Sequence, residues 1–249
     1  MTMSRRLTNT AVLVALLAMM FTLVGVSPAE GGSERTYRVT VTNLTSGQPM
    51  TPFVVAAHSG STDVFNSGSA ASAGLQSIAE NGGVPDLVAE LSANPQVGDI
   101  AVAGSAPIAP GATVYAEIGT TPGARKLSLA GMLICTNDGF AGIDSLQLNA
   151  NGQTRVVYGF AYDAGTEINT EDYQDLVPPC DGLGQTGMSN PALAENGVVL
   201  SHPGIQGGAS LSPAVHGWTR AVIKVKIEEV GGSGQSGQSG QDQQGSSEN

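Results

Sequence analysis

The chain has 249 residues, with 21 acidic against 10 basic side chains and a formal net charge of −11 at pH 7. A chain this acidic repels phosphate backbones, so we exclude nucleic acid as a partner. Aromatic residues make up only 4% of the sequence, which argues against a glycosidase that lines its site with aromatic platforms.

Residues 1–29 predict a secretory signal peptide. Arg5 and Arg6 supply a positive start, residues 11–26 are almost wholly apolar, and Ala29 ends a small-residue cleavage site before Glu30. The alternative is an uncleaved anchor, but a 16-residue helix rises only ~24 Å, short of a ~30 Å hydrocarbon core. We expect a secreted or periplasmic protein with no stable membrane insertion after cleavage.

The sequence predicts one folded domain over 37–230, after a short linker at 30–36. Residues 231–249 hold only small and polar side chains, which cannot bury enough surface to offset the entropy of ordering them. We therefore expect a disordered tail of glycine, serine and glutamine there.

Most of the domain has the pattern of β-structure. Tyr37–Asn43 alternates apolar and polar side chains, whereas Pro52–His58 is apolar on both faces and predicts an interior strand. Helices are predicted at 73–80 and 85–92, where Pro85 begins the second. The expected fold is all-β, an antiparallel β-sandwich with a short helical insertion. Further strands are predicted at 113–118, 126–136, 155–162 and 219–230.

Cys135 and Cys180 are the only cysteines. Two cysteines in an exported protein favour one disulfide, and two buried unpaired thiols are the alternative.

The acidic residues are unevenly spread. No lysine or arginine lies between Arg155 and Arg220, yet seven acids do, six of them between Asp163 and Asp181. Such crowding indicates either a solvated acidic face or a shared bound cation.

Two glycine-containing loops, predicted at 136–145 and 162–171, each follow a strand and carry acids a few residues apart. Calcium takes six to eight oxygen ligands, so two such loops at one end of a sandwich could hold it, although ordinary turns have the same composition. Gly-x-Ser-x-Gly is absent from the folded region, and the three histidines lie in no catalytic or zinc-binding pattern.

The segments Asn137–Ser145 and Tyr162–Glu167 resemble the two signature segments of the spondin N-terminal domain family. The resemblance extends over about Tyr37 to Glu171. It implies a β-sandwich with one Ca²⁺ near the loops at one end, held by Asp138, Asp163 and Glu167, with Asp144 as a weaker candidate. Animal members have tryptophan where this chain has Gly139 and aspartate where it has Glu167, so we transfer no receptor specificity.

We therefore expect a non-enzymatic, calcium-binding adhesion module for an unknown extracellular or cell-surface ligand, protein or glycan. The alternatives are an extracellular hydrolase that uses the same carboxylates and a structural component of the surface or matrix.

Overall fold

The computed structural model describes residues 34–149, 151–183 and 186–232. The predicted signal peptide and residues 233–249 of the predicted tail lie outside them. Within the described residues, no helix has both the length and the apolar character needed to cross a membrane.

Nine strands and three α-helices make up this part of the chain. The helices are α1 (Ala73–Asn81), α2 (Val84–Ser92) and the short α3 (Pro213–His216). The all-β class with a short helical insertion is confirmed. The strands are β1 (Arg35–Asn43), β2 (Phe53–His58), β3 (Val97–Ala103), β4 (Thr113–Thr120), β5 (Lys126–Met132), β6 (Gly139–Gln147), β7 (Arg155–Asp163), β8 (Leu200–Ser201) and β9 (Ile223–Gly232).

The strands form one antiparallel sheet in the order β3-β2-β5-β6-β7-β9-β1-β4, with β8 added beside β7. The sheet curls until its edge strands meet, where the Gly119 amide of β4 donates to the Asp99 side chain of β3 at 2.6 Å. The two layers of the predicted sandwich are therefore halves of a single curled sheet.

Strand β7 joins the two halves. Its first part, Arg155–Gly159, pairs with β9, and its last part, Phe160–Asp163, pairs with β6. A Cβ atom on Gly159 would lie 2.7 Å from the Gly142 carbonyl oxygen, so only glycine allows the close approach of strands at this changeover.

The main core lies inside the curl, and a second core lies between β2, β5, β6 and the helices. Strand β2 contributes to both and is buried on both faces, as its sequence predicts: Phe53 and Val55 point into the main core, and Val54 packs under the helices. Helix α1 buries Leu75 and Ile78 against that side, and α2 buries Leu87 and Leu91.

Helix α1 begins with Ser72, whose side chain accepts the Leu75 amide, and ends at Gly82 in the left-handed conformation. Helix α2 begins within one residue of its predicted start.

The predicted loop at 136–145 is wrong from Gly139 onward, because this segment is most of strand β6. Its glycines permit close packing and not bending: a Cβ on Gly142 would lie 2.8 Å from the Phe65 ring. Strand β3 was not predicted either. Strand β5 ends at Met132, earlier than predicted, and β9 begins at Ile223, later than predicted.

Cys135 and Cys180 form the predicted disulfide, and both are buried. The bond ties the loop after β5 to the irregular segment that follows β7. It closes a long loop, and closure of a long loop removes much conformational entropy from the unfolded chain.

We predict that replacing both cysteines with serine lowers the free energy of unfolding by about 4 kcal/mol in the chain-entropy model. Urea denaturation of the parent and the double variant measures the difference. Intact mass after alkylation without reductant checks the bond itself, and two alkylated thiols in freshly secreted protein would contradict it.

Candidate functional site

The two signature segments meet at one end of the sheet. Gly139, the first residue of β6, pairs with Asp163, the last residue of β7. The register therefore places the loop before β6 directly beside the loop after β7. Under this pair, Phe140 and Tyr162 stack with ring centroids 5.4 Å apart, and Phe65 packs edge-on against Phe140 at 5.0 Å. An aromatic floor thus supports the loops.

Asp138 is fully buried and holds the second loop by its backbone. Its Oδ2 accepts hydrogen bonds from the amides of Thr166 at 2.7 Å and Glu167 at 3.1 Å. Its own carbonyl accepts the Ala164 amide at 3.2 Å. The other carboxylate oxygen, Oδ1, is buried without a hydrogen-bond partner among the described residues.

Asn137 makes the same kind of contact with the second loop, four residues further along it. Its Oδ1 accepts the amides of Thr170 at 3.1 Å and Glu171 at 3.4 Å, and its Nδ2 donates to the Thr170 hydroxyl at 3.3 Å. We call Asn137 and Asp138 together the loop clamp. The clamping role of Asn137 was not predicted, although its position beside Asp138 in the first signature was the available signal.

Glu167 lies in the clamped loop with 2% of its surface exposed. Its Oε1 accepts a hydrogen bond from the Ser189 hydroxyl at 2.8 Å. Its Oε2 is buried and has no hydrogen-bond partner among the described residues. Asp138 and Glu167 therefore each keep one buried carboxylate oxygen that no described group satisfies, an arrangement that is costly for ionised carboxylates.

Asp163 is only partly buried, and both of its oxygens have partners. Oδ1 accepts the Gly165 amide at 2.8 Å, and Oδ2 accepts the side-chain amide of Asn169 at 2.5 Å. Its charge still acts on Asp138, whose pKa it raises.

Asp144 lies elsewhere. Strand β6 separates it from Asp138 by six residues, about 20 Å along an extended strand. Its Oδ1 accepts hydrogen bonds from the Ser128 hydroxyl at 2.9 Å and the Val64 amide at 3.2 Å. The structure thus brings together Asp138, Asp163 and Glu167 but not Asp144.

The three carboxylates that meet are not arranged as a compact ligand set. In the described ranges, one group of three His, Cys, Asp or Glu side chains has ligand atoms within 4.8 Å of one another, namely Cys135, Cys180 and His216. The sulfurs of that group are joined in the disulfide. A cation held by all three carboxylates would therefore require their ligand oxygens to move closer together.

Burial raises the pKa of both central carboxyl groups. The pKa of Asp138 is raised from 3.8 to about 6, first by burial and then by the charge of Asp163. The pKa of Glu167 is raised from 4.5 to about 7, first by burial and then by the charges of Glu80 and Asp138, while the Ser189 hydroxyl and the Asn190 backbone amide oppose the shift. Protonation relieves the cost of burying these groups, and a cation would relieve it too.

Two neighbouring residues were not predicted as part of the site. Glu171, buried and with a positive φ of 57°, receives three backbone hydrogen bonds at 2.6–3.0 Å from the amides of residues 206–208. His202 packs against Trp218 with ring centroids 5.1 Å apart. Burial lowers the pKa of His202, although Asp163 and Glu171 oppose the shift.

The sequence matches the family model of the spondin N-terminal domain, Spondin_N, over residues 42–174, more than half of the chain. The chain belongs to the spondin N-terminal domain family. A search of curated proteins finds no match.

Membership in the spondin family indicates a binding or adhesion-type module and a non-enzymatic type of domain. Together with the disulfide, it also indicates an extracellular location. The match covers both signature segments and most of the sheet, and it ends before the segment that contains His202 and Trp218.

We predict that the carboxyl groups of this spondin domain make its metal-free stability fall as pH rises. Their pKa values are higher in the folded state, so the folded protein binds more protons between about pH 4 and about pH 7, and unfolding becomes easier across that window. The double variant Asp138→Asn/Glu167→Gln should lose this contribution. Urea denaturation in chelator at several pH values measures the difference between the variant and the parent, which should shift in favour of the variant as pH rises. A difference that is independent of pH would contradict the assignment.

We also predict that Asn137→Ala lowers the free energy of unfolding by about 1–3 kcal/mol, because it leaves the amides of Thr170 and Glu171 without their acceptor. Asn151→Ala, in an exposed turn, is the matched control and should change stability far less. Equal effects of the two substitutions would rule out the clamp as a stabilising contact.

Proposed function

We propose that this spondin domain is a secreted, calcium-binding adhesion module, in which the cation stabilises the loops that face an extracellular ligand. The observation that carries the proposal is the pair of buried carboxylate oxygens without partners, Asp138 Oδ1 and Glu167 Oε2. Buried carboxylates are stable when they are protonated, paired or bound to a cation. The local sequence offers no lysine or arginine between Arg155 and Arg220 to pair with them.

Asp138 and Glu167 would hold the cation through these two oxygens. Asp163 is the third candidate, because its charge already acts on Asp138, and each of its oxygens already accepts one hydrogen bond. Backbone carbonyls and water would complete the shell of six to eight oxygens that calcium prefers. Asp144 has no part in this group.

The cation would reinforce the loop clamp. Asp138 uses one oxygen to hold the backbone of the second loop and would use the other for the metal, so metal binding and loop order would be coupled through one side chain. Calcium in this role supplies positive charge and order, and no catalytic chemistry is needed from it.

The structure does not favour the hydrolase alternative. A hydrolase needs its carboxylates within reach of substrate, yet Asp138 and Glu167 are 0% and 2% exposed. A role as a structural component of the surface or matrix has no specific observation in its favour.

We predict that millimolar calcium raises the melting temperature by roughly 5–10 °C when its concentration is about one hundred times Kd, equivalent to ~2.7 kcal/mol. Magnesium should do less, because it requires a tighter octahedral shell. Differential scanning calorimetry with calcium, magnesium or chelator measures both effects.

Asp163→Asn should remove most of the rise, since it deletes a ligand charge outside the loop clamp. Glu195→Gln, an exposed acid of the neighbouring segment, is the matched control and should keep the parent's response. If calcium does not raise the melting temperature of the parent, or raises that of Asp163→Asn by the same amount, these loops are ordinary acidic turns that bind no calcium.

A further inference from the structure

A second candidate site lies in an open cleft of about 510 Å³. Its walls are the loop after β1 and the segment from Pro203 to Ala221, which is outside the family match. Clefts of this volume accommodate small ligands or single units of a larger one. The lining residues used below are Ser46, Trp218, Thr219 and Arg220.

Among the described residues that line this cleft, Arg220 is the only charged one. It is exposed, and it makes no ion pair among the described residues, where the three salt bridges use Arg35, Arg38 and Lys226. In a chain with twice as many acids as bases, an arginine free of carboxylates is available to an anion from outside. A guanidinium group matches a carboxylate with two parallel hydrogen bonds.

Trp218 is the only tryptophan of the chain, and it lines the cleft in a half-buried position. The His202 ring packs against it at 5.1 Å and limits its movement. The exposed side chains of Ser46 and Thr219 add two hydroxyl groups to the lining. The cleft therefore combines an apolar ring, hydroxyl groups and one cation.

The walls of the cleft are fixed to each other by buried contacts. Gln48 donates from Nε2 to the carbonyls of Cys135 at 3.1 Å and His216 at 2.8 Å, and its Oε1 accepts the Cys135 amide. The disulfide and a 2.6 Å hydrogen bond between His216 Nε2 and the Asp181 carbonyl continue this frame. A rigid frame of this kind reduces the ordering cost of binding.

We propose that this cleft binds a carboxylated sugar unit of an extracellular glycan. Arg220 pairs with the carboxylate, Trp218 packs against the sugar ring, and the hydroxyl groups of Ser46 and Thr219 bond to sugar hydroxyl groups. A single sugar unit needs one aromatic platform, and Trp218 supplies one.

A peptide carboxylate is the less favoured occupant. Proteins often capture peptide C-termini with a nest of backbone amides. The nest formed by the amides of residues 206–208 is already filled by the Glu171 carboxylate. What remains open is a side-chain guanidinium beside hydroxyl groups and an indole.

This inference names a ligand for the binding module and rests on that part of the proposed function, but it does not require calcium. The test titrates the whole mature protein with trigalacturonate and follows the fluorescence of Trp218, in chelator and again in calcium. We expect a saturable change with trigalacturonate under both conditions and little change with its fully methyl-esterified form, which lacks the negative charges.

Arg220→Gln should weaken binding by about tenfold or more, because it removes a charge-assisted pair, and Arg220→Lys should recover part of the affinity. Arg38→Gln, an equal charge change on an exposed arginine within β1 that does not line the cleft, is the control and should bind like the parent. Melting temperatures in chelator check that all variants fold.

No fluorescence change with trigalacturonate, equal affinity for the esterified form, or unaltered affinity of Arg220→Gln would each overturn the proposal. So would a preference for an acidic tripeptide over the sugar. None of these results tests the calcium proposal, because the calorimetry that tests it uses no glycan.

Discussion

The architecture at the end of the sheet that carries the two signature segments depends on two adjacent side chains, Asn137 and Asp138, which hold the backbone of the loop after β7. Four amides of that loop, from Thr166, Glu167, Thr170 and Glu171, end on their oxygens. Buried amides need acceptors, and this loop is too irregular to supply them from a strand or helix. The first signature segment therefore fixes the backbone conformation of the loop after β7 by accepting its amide hydrogen bonds.

The clamped loop in turn holds a more distant segment of the chain in place. Glu171, at its end, gathers the amides of residues 206–208 and so fixes the start of the segment that walls the cleft. Gln48 and the disulfide fix the other wall. The carboxylate cluster and the cleft are consequently neighbours in one hydrogen-bonded network, although the family match leaves out the wall of the cleft from Pro203 to Ala221.

Much of the fold follows from sequence periodicity. The alternation in β1 and the apolar run Phe53–Ala57 of β2 predict their burial, and Pro85 predicts the start of α2. Strand β6 was missed because glycine beside aspartate usually indicates a turn, whereas Gly142 is needed so that Phe65 can pack against the strand. Packing between distant segments determines that choice, and a single sequence does not display it.

The candidate site, too, is only partly predictable from the sequence. Charge density and loop composition indicate an acidic region, and the spondin resemblance implies Asp138, Asp163 and Glu167 as its ligands, which lie beside the β6–β7 strand pair. The resemblance also offered Asp144 as a weaker candidate, but Asp144 lies within strand β6, in a segment that the sequence analysis predicted as a loop. Which oxygens stay unpartnered depends on the three-dimensional path of the loop, so the roles of Glu171 and His202 could be recognised only in the folded chain.

The pairing of β1 with β9 has a practical consequence. Arg35 lies opposite Gly232, so the described domain begins and ends side by side, whereas Leu44 and Ala221 line the cleft some 30 Å further along these strands. A fusion partner, fluorophore or surface linker joined to either end of the described domain would thus lie near the Arg35–Gly232 pair and leave the cleft accessible. The domain can therefore be displayed on beads or cells through its ends without blocking the cleft.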